Sequence, residues 1–582
     1  MRFPFLFVVV GCSSHTVEER PLVAFPTDGF VDVSEASGIQ VGNFDPDPPP
    51  GMAINDHSRL AFADLNGDRI DDVVMHSLFP NALAGIPFTH RVFLGNGDGT
   101  FTDHTDASGL GDVQAAFFAF GDLDNDGDQD LFAGMDIPTL GSNSVWLNDG
   151  SGRFTEVERS GVLQGDAMAA NAVLFDADGD AVLDLFVGYG GTTGAAPDRF
   201  FRGNGDGTFT RDVSALPDAP SQPSNGTVAC DFDDDGDLDV FVSTYGVSTN
   251  RGVNHLWLND GTGNFTEQAA TYGFAALATG NPWLSTTGEG TEPQPDAGPD
   301  GWIGSNGFGI DCADMTGDGF LDIVLATISH PVDSDPSRKW SDGSQLLVNQ
   351  GPAGDFRFED EWAAMGLPFN EGDVDIAAVD IDFDGQRDLS LSRVSTYTDA
   401  YDSAAQQDWF GLMFQGRGTF DGRTFRPGVN ALGTRVMRGA QNHAWADVDL
   451  DGDLDLLVGG RTNGSAGRAN RLFENTAGQD NRHLVVHLEG DGVNVDRDAI
   501  GTRLRLENDL RPRVAEHKSS RGMYNSEDTA AIHLALHDYG ANSRLEVRWL
   551  DGTVHRFLAG EDFGDDEHVV IRYPDQIETL DR

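Results

Sequence analysis

One acidic nonapeptide recurs along the whole of this 582-residue chain, and it limits the fold more than any other feature. In the form D-x-D-x-D-G-x-x-D it reads DLNGDRIDD (64–72), DLDNDGDQD (122–130), DADGDAVLD (176–184), DFDDDGDLD (231–239), DMTGDGFLD (314–322), DIDFDGQRD (380–388) and DVDLDGDLD (447–455). Successive copies start 54 to 83 residues apart. Each leads at once into a short apolar, β-branched run such as LFAG, VFVS or LLVG, and each follows one such as FFAFG or TVAC. Runs of this length and composition predict buried strands. Every copy is therefore expected to be strand, nine-residue loop, strand.

The variation within the loop points to chemistry. Positions 1, 5 and 9 are Asp in all seven copies, and position 3 is Asp in five, with Asn66 and Thr316 in the others. Position 7 varies freely, which suits a position that contributes its backbone carbonyl. This is the grammar of an oxygen cage for Ca²⁺. The expected ligands are Asp64, Asn66, Asp68 and Asp72; Asp122, Asp124, Asp126, Asp128 and Asp130; Asp176, Asp178, Asp180 and Asp184; Asp231, Asp233, Asp235, Asp237 and Asp239; Asp314, Thr316, Asp318 and Asp322; Asp380, Asp382, Asp384 and Asp388; and Asp447, Asp449, Asp451, Asp453 and Asp455. Asp128, Asp237 and Asp453 occupy position 7 and enter through their carbonyls. Up to seven structural ions follow, with copies two, four and seven the best equipped and copies one and five the poorest. Position 6 is Gly in five copies, as a turn with positive φ requires; Arg69 and Ala181 at that position should cost about 1 kcal/mol each. The loop is not an EF-hand, which needs a bidentate Glu at position 12 and flanking helices.

A second element lies between the loops: RVFLGNGDGTFTD (91–103), SVWLNDGSGRFTE (144–156), RFFRGNGDGTFTR (199–211) and HLWLNDGTGNFTE (255–267), with a weaker copy at 346–360 and a stretched one at 411–427. Strand, Asn/Asp-Gly turn, strand is a β-hairpin signature. Four strands per unit make a β-propeller blade. GFVDVSEASGI (29–39) resembles the end of a hairpin with no acidic loop before it, and NRLFENTAG (470–478) has a first hairpin strand with no second. The fold expected is all-β: a seven-bladed β-propeller sealed between its termini, followed by a small β-sandwich or barrel. The FxxGDxDxDGxxDLxV units resemble FG-GAP/VCBS repeats of the integrin α type over residues 25–478.

After Asn475 the acidic loops stop, and alternating strands begin at NRHLVVHLEG (481–490) and recur to HVVIRY (568–573). DAIGTRLRL, SSRGMYNS and LEVRWLDGT resemble the ASPIC/UnbV domain that follows such propellers in cartilage acidic protein-like proteins. The chain departs from that pattern at Arg521-Gly522-Met523, where a Gly-rich run is shortened, and near IHLALHDYG. The organisation expected is a lipoprotein-type signal over 1–12, a linker over 13–24, the propeller over 25–478 with an insertion at 273–308, the β domain over 481–575 and a tail over 576–582. Arg503, Arg505, Arg511, Arg513, Lys518 and Arg521 in the second domain read as a patch docking on acidic propeller loops or on an anionic glycan, or as solvent-facing strand residues.

Acidic residues number 95 against 37 basic ones, a formal charge of −58, so nucleic acid is excluded as a partner. The start, with Val9-Val10-Gly11-Cys12 after an apolar run, resembles a bacterial lipobox, with Cys12 as lipidation site; a short ordinary signal peptide or a late start codon are the alternatives. Either way the chain is expected to be exported to the cell envelope, outer membrane surface or beyond, touching membrane only through a lipid anchor. Cys230 and Cys312 read as buried free thiols, with a disulfide between them left open. His255, His330 and His443 read as packing or loop residues. Trp283 and Trp302 in the insertion could stack on a sugar or peptide. No nucleophile elbow, Walker, HExxH or dinucleotide motif is present. The function expected is surface recognition or adhesion by a monomer, with a protein or glycan ligand. The rival is an enzyme, polysaccharide-cleaving or redox, with its site at the propeller channel, although no acid–base pair is evident.

Overall fold

In the computed structural model the described residues are 29–39, 59–76, 88–136, 141–163, 168–190, 196–245, 253–275, 284–285, 288–289, 307–327, 343–367, 373–393, 412–417, 424–427, 442–459, 470–477, 482–507, 512–523, 525–536, 543–564 and 567–580. Cys12, Trp283, Trp302, His330 and Arg511 lie outside them.

Seven antiparallel sheets form the propeller. Blade one contains Leu60–Ala63, Asp72–His76, His90–Gly95 and Phe101–Asp103 in sequence order, and blades two to six repeat that order. The two inner strands of each blade are buried on both faces, as in Ala169–Phe175 and Asp184–Tyr189 of blade three. Both faces pack on neighbouring blades, so these strands read as continuous apolar runs. The outermost strands are mostly exposed instead: Phe101–Asp103, Phe265–Glu267 and Phe358–Asp360 each bury only their phenylalanine. The core is thus shared between blades; one cluster joins Phe117 and Phe132 of blade two, Phe175 and Phe200 of blade three and Trp257 of blade four.

The ring closes as the sequence predicts. Phe30–Asp32 is the outer strand of the seventh blade, pairing Phe30 with Asn475, Val31 with Glu474 and Asp32 with Phe473. Its anchor is Phe30, 5% exposed, with its ring 6.0 Å from that of Trp445. Phe30→Ala is expected to lower stability by about 3 kcal/mol, read as the denaturant midpoint, because it leaves a cavity where the two termini meet.

Cys230 and Cys312 are not free thiols. They are joined by a disulfide, with Cα atoms 6.7 Å apart, between the inner strands Ser224–Cys230 of blade four and Gly307–Ala313 of blade five. The sequence places the residues 82 positions apart; only the ring brings those two strands side by side.

The second domain is a sandwich of two four-stranded sheets. One runs Ile532–Ala535, His483–Glu489, Glu567–Arg572, Gln576–Leu580; the other runs Arg513–Glu516, Arg503–Glu507, Arg544–Arg548, Val554–Leu558. Leu484, Val569, Leu504, Val547 and Trp549 form the core between them. Residues 576–580, expected as a tail, are an edge strand paired with Glu567–Arg572. A further short strand, Gly522–Met523, leaves this domain and pairs with Gly226 and Thr227, the innermost strand of blade four.

Candidate metal centres and the face they form

The seven acidic loops share one construction. In every copy the position-1 carboxylate accepts a hydrogen bond from the backbone N–H of position 6, from Arg69 N to Asp64 at 2.7 Å to Gly236 N to Asp231 at 3.2 Å. That closure needs a left-handed residue at position 6. The φ values there are 60° at Arg69 and 64° at Ala181, and 80° to 99° at the five glycines. The backbone is therefore the same with and without glycine, and Arg69 and Ala181 carry the steric cost. Position 4 is left-handed as well, at Gly67, Asn125, Gly179, Asp234, Gly317, Phe383 and Leu450. Sequence reasoning missed this second turn; its signal was Gly, Asn or Asp in five of seven copies.

Position 9 braces the base of the loop. Asp130 accepts from Leu123 N at 3.0 Å with one oxygen and from Asn148 N, on the third strand, at 2.7 Å with the other. Asp72, Asp322 and Asp455 repeat both contacts. The position-5 carboxylate accepts from the position-7 N–H in all seven loops, as Asp68 does from Ile70 N at 2.9 Å.

Three carboxylates converge, with one oxygen of each within 4.8 Å of the others, in five loops: Asp122/Asp124/Asp130, Asp176/Asp178/Asp184, Asp231/Asp233/Asp235, Asp380/Asp382/Asp388 and Asp447/Asp449/Asp455. Positions 1, 3 and 9 meet in four of these. The expected position-5 ligands Asp126, Asp180, Asp384 and Asp451 stay outside the trio, and Asp235 alone replaces position 9. Copies one and five form no such trio among the described residues, in keeping with Asn66 and Thr316 at position 3. Asp124, Asp178, Asp233 and Asp449 each bury Oδ1 without a hydrogen-bond partner, and so does the Thr316 hydroxyl. A buried, unsatisfied carboxylate oxygen is costly unless a cation meets it.

The electrostatics agree. Burial pushes Asp72, Asp130 and Asp184 up to about 8, although backbone N–H groups pull the other way. Burial and then the neighbouring Asp451 carboxylate push Asp453 up to about 9. Such carboxylates resist ionising together until a cation neutralises them. The donor set is all oxygen, and it fits Ca²⁺.

The hairpins seal one blade to the next across these loops. Asn148, Asn259, Asn349 and Asn475 each donate from Nδ2 to the position-2 carbonyl of the preceding blade, at 2.8 to 3.0 Å. Blades one and three, which carry GNGDGT instead, use the backbone N–H of Gly99 and Gly207 for the same carbonyl. The Asn-Gly motif is thus both turn and seam.

The C-terminal domain docks on the face formed by these loops. Arg548 donates to Asp231 Oδ2 at 2.6 Å and Arg503 to Asp234 Oδ1 at 2.8 Å in blade four. Asp122 N of blade two donates to Asp498 Oδ2 at 2.7 Å. Arg69 of blade one pairs with Glu489, and His533 meets the Gly452 carbonyl of blade seven at 3.1 Å. Of the basic patch, Arg503, Arg513, Lys518 and Arg521 face the propeller, whereas Arg505 pairs with Glu507 of its own domain. At position 6 the second domain comes close in some blades and leaves open space in others. A Cβ on Gly452 would lie 2.0 Å from His483 Nε2, whereas one on Gly127 would meet nothing within 4 Å. Gly127→Ala should therefore cost about 1 kcal/mol, the backbone strain alone. Gly452→Ala should cost about 3 kcal/mol, since His483 must also move. Thermal melts of the two variants check the difference.

Residues 491–578 match the family described as ASPIC and UnbV. The match covers the second sandwich from residue 491 together with the Gly522–Met523 strand that leaves it, and this is the ASPIC/UnbV domain of this chain. No curated protein matches the chain. Among solved structures it is similar to an Agrocybe aegerita lectin described as recognising non-reducing terminal N-acetylglucosamine, at 18% identity, TM-score 0.38, covering 65% of this chain and 80% of that one. It is similar to a Penicillium chrysogenum α-L-arabinanase at 11% identity, TM-score 0.33, covering 60% of this chain and 91% of that one. A Bombyx mori GH32 β-fructofuranosidase gives 11% identity and TM-score 0.25, covering 90% of this chain and 91% of that one.

His443 is buried between Asp375 and Ser390: Nδ1 lies 3.1 Å from Asp375 Oδ2 and Nε2 lies 2.7 Å from Ser390 Oγ. The residue types are those of a nucleophilic triad. All three are 0% exposed, and Ser390 Oγ also accepts the Trp445 indole N–H at 3.2 Å. The group ties blade six to blade seven and offers no substrate a path to the hydroxyl. His255, as expected, packs in the core, 3.3 Å from Glu267.

Proposed function

We propose that this chain is an exported calcium-binding β-propeller that acts as a recognition or adhesion module at the cell surface, with calcium in a structural role. The observation that carries the calcium reading is the convergence of three carboxylates in five loops, with a position-3 oxygen left buried and unpaired in Asp124, Asp178, Asp233 and Asp449. The ions would be held by those trios, with the carbonyl of position 7 completing each cage. The chemistry they supply is charge neutralisation of the loops. Isothermal titration of the chelated protein with Ca²⁺ tests this; absence of heat at millimolar ion removes the metal from the reading.

The recognition reading rests on a rigid ring and a strongly anionic composition that disfavours nucleic acid and anionic membrane as partners. A neutral or cationic glycan, or a basic protein surface, is the class of ligand it suits. A glycan array on the purified chain, run beside a polysaccharide turnover assay, separates binding from catalysis. Turnover of a polymer would favour the enzymatic alternative. Tethering through Cys12 is tested by labelling with a radioactive fatty acid, which Cys12→Ala should abolish.

A further inference from the structure

The channel along the ring axis holds a segment of the chain itself. Residues 518–523 and 525–529 leave the ASPIC/UnbV domain from the acidic-loop face and enter between the innermost strands. They touch all seven blades. In blade one, Phe62 N donates to the Glu527 carbonyl at 3.0 Å. In blade two, Phe120 N donates to the Glu527 carboxylate at 3.1 Å. In blade three, Ala172 is gripped at both ends: its N–H donates to Asn525 Oδ1 at 2.9 Å, and its carbonyl accepts from Asn525 Nδ2 at 2.7 Å and Ser520 Oγ at 2.8 Å. Blade four contributes the strand pairing of Gly226 and Thr227 with Met523 and Gly522. Lys518 reaches Asp311 and, at 2.8 Å, the Cys312 carbonyl of blade five. Arg521 donates to Asp375 Oδ1 at 2.9 Å in blade six and to the His443 carbonyl at 2.9 Å in blade seven. Trp445 of blade seven also donates its N–H to Asp528 at 2.9 Å.

The charges match as well as the hydrogen bonds. Asp311 and Asp375 are buried carboxylates on innermost strands, 1% and 0% exposed. Lys518 and Arg521 are the cations that meet them. Arg521 is itself 3% exposed and has Asp528 at 2.6 Å on its other side. Without the segment, these carboxylates on the neighbouring blades five and six would lose the cations that meet them; an unpaired buried charge costs several kcal/mol. Backbone N–H groups of blades one, two, three and seven would lose their acceptors too.

We infer that the channel is a built receptor for this chain's own residues 518–523 and 525–529, and that this segment is the hub through which all seven blades are held as one cooperative unit. Three consequences follow from the contacts. The channel at the level of Ala172, Gly226 and Asp375 is filled, so a polymeric substrate would have to displace the segment. The cavity beside it, of about 120 Å³ between Asp311, Arg387, Trp445, Lys518 and Asp528, has room for a few waters and no sugar chain. Blades on opposite sides of the ring, with no contact of their own, are coupled through one segment.

Native-state hydrogen exchange on the full chain tests this. In the unmodified protein the amides of Phe62, Phe120, Ala172 and Trp445 should exchange together, at the slowest rate in the molecule, and Thr529, which donates to the Trp445 carbonyl at 2.8 Å, should exchange with them. Faster exchange of Thr529 than of the four strand amides would mean that the segment opens alone, and would overturn the inference. Asn525→Ala removes the grip on blade three and leaves the ion pairs intact. It should accelerate exchange at Trp445, across the ring, at least tenfold. Acceleration confined to Ala172 would show a local contact and no hub. Arg521→Ala should accelerate all four amides at least a hundredfold. If that variant does not fold, the Asn525→Ala result and the wild-type rates decide.

Discussion

Chelation with EDTA at pH 7.5 is expected to lower the melting temperature by roughly 10 °C, since five occupied sites at about 2.7 kcal/mol each offset an unfolding entropy that scales with chain length. The effect should depend on pH with a definite sign. Asp72, Asp130 and Asp184 titrate near 8 in the folded chain because burial disfavours their charged form, against about 4 when unfolded. The folded state therefore holds more protons between those values, and stability falls as pH rises. In EDTA the protein should be at its most stable near pH 4 to 5 and lose stability steadily towards pH 8. Added Ca²⁺ should flatten that slope, because the ion takes the place of the protons. A calorimetric scan across pH, with and without Ca²⁺, reads both effects; a melting temperature indifferent to EDTA at pH 7.5 would contradict the calcium reading.

Loss of the Cys230–Cys312 bridge should lower stability by about 4.5 kcal/mol, the loop-closure freedom restored to an unfolded chain when a link across some 80 residues is cut. Both sulfurs are buried, Cys230 at 0% and Cys312 at 2% exposure, so a reductant should act only after unfolding. The Cys230→Ala/Cys312→Ala double variant should show the loss directly in urea. Thiol titration of the denatured, unreduced chain should find neither sulfur free. Detection of both thiols in protein from an oxidising compartment would contradict the bridge. Formation of the bridge suits an exported protein, because thiols stay reduced in the cytosol.

Much of this fold was legible locally. Seven loops of one grammar, each between two apolar runs, set the strand count and the blade, and the orphan strand at 29–39 disclosed how the ring closes. Position 6 was legible too: glycine in five copies foretold the left-handed turn that Arg69 and Ala181 also adopt. The left-handed turn at position 4 was hidden because Phe383 and Leu450 adopt it in spite of their side chains. The ligand trio was only half legible. Period-two spacing aligns positions 1, 3, 5 and 9 equally well on paper. Positions 1, 3 and 9 converge in four loops and positions 1, 3 and 5 at Asp231, Asp233 and Asp235, a difference that arises only in the folded loop.

By itself the sequence determined the repeating unit, its seven copies, the acidic oxygen-rich loops and a separate C-terminal β domain, because each of these rests on residues close together in the chain. Tertiary structure alone decided what joins them. Cys230 meets Cys312 because adjacent blades place their inner strands side by side. Arg69, an exception to the loop pattern, becomes an ion pair with Glu489, some 420 residues away. Arg521, which read as one member of a basic patch docking on the acidic loops or facing solvent, is buried on the ring axis against Asp375 and Asp528. Contacts at such separations have no periodicity and no local spacing to announce them; they exist only once the ring has closed.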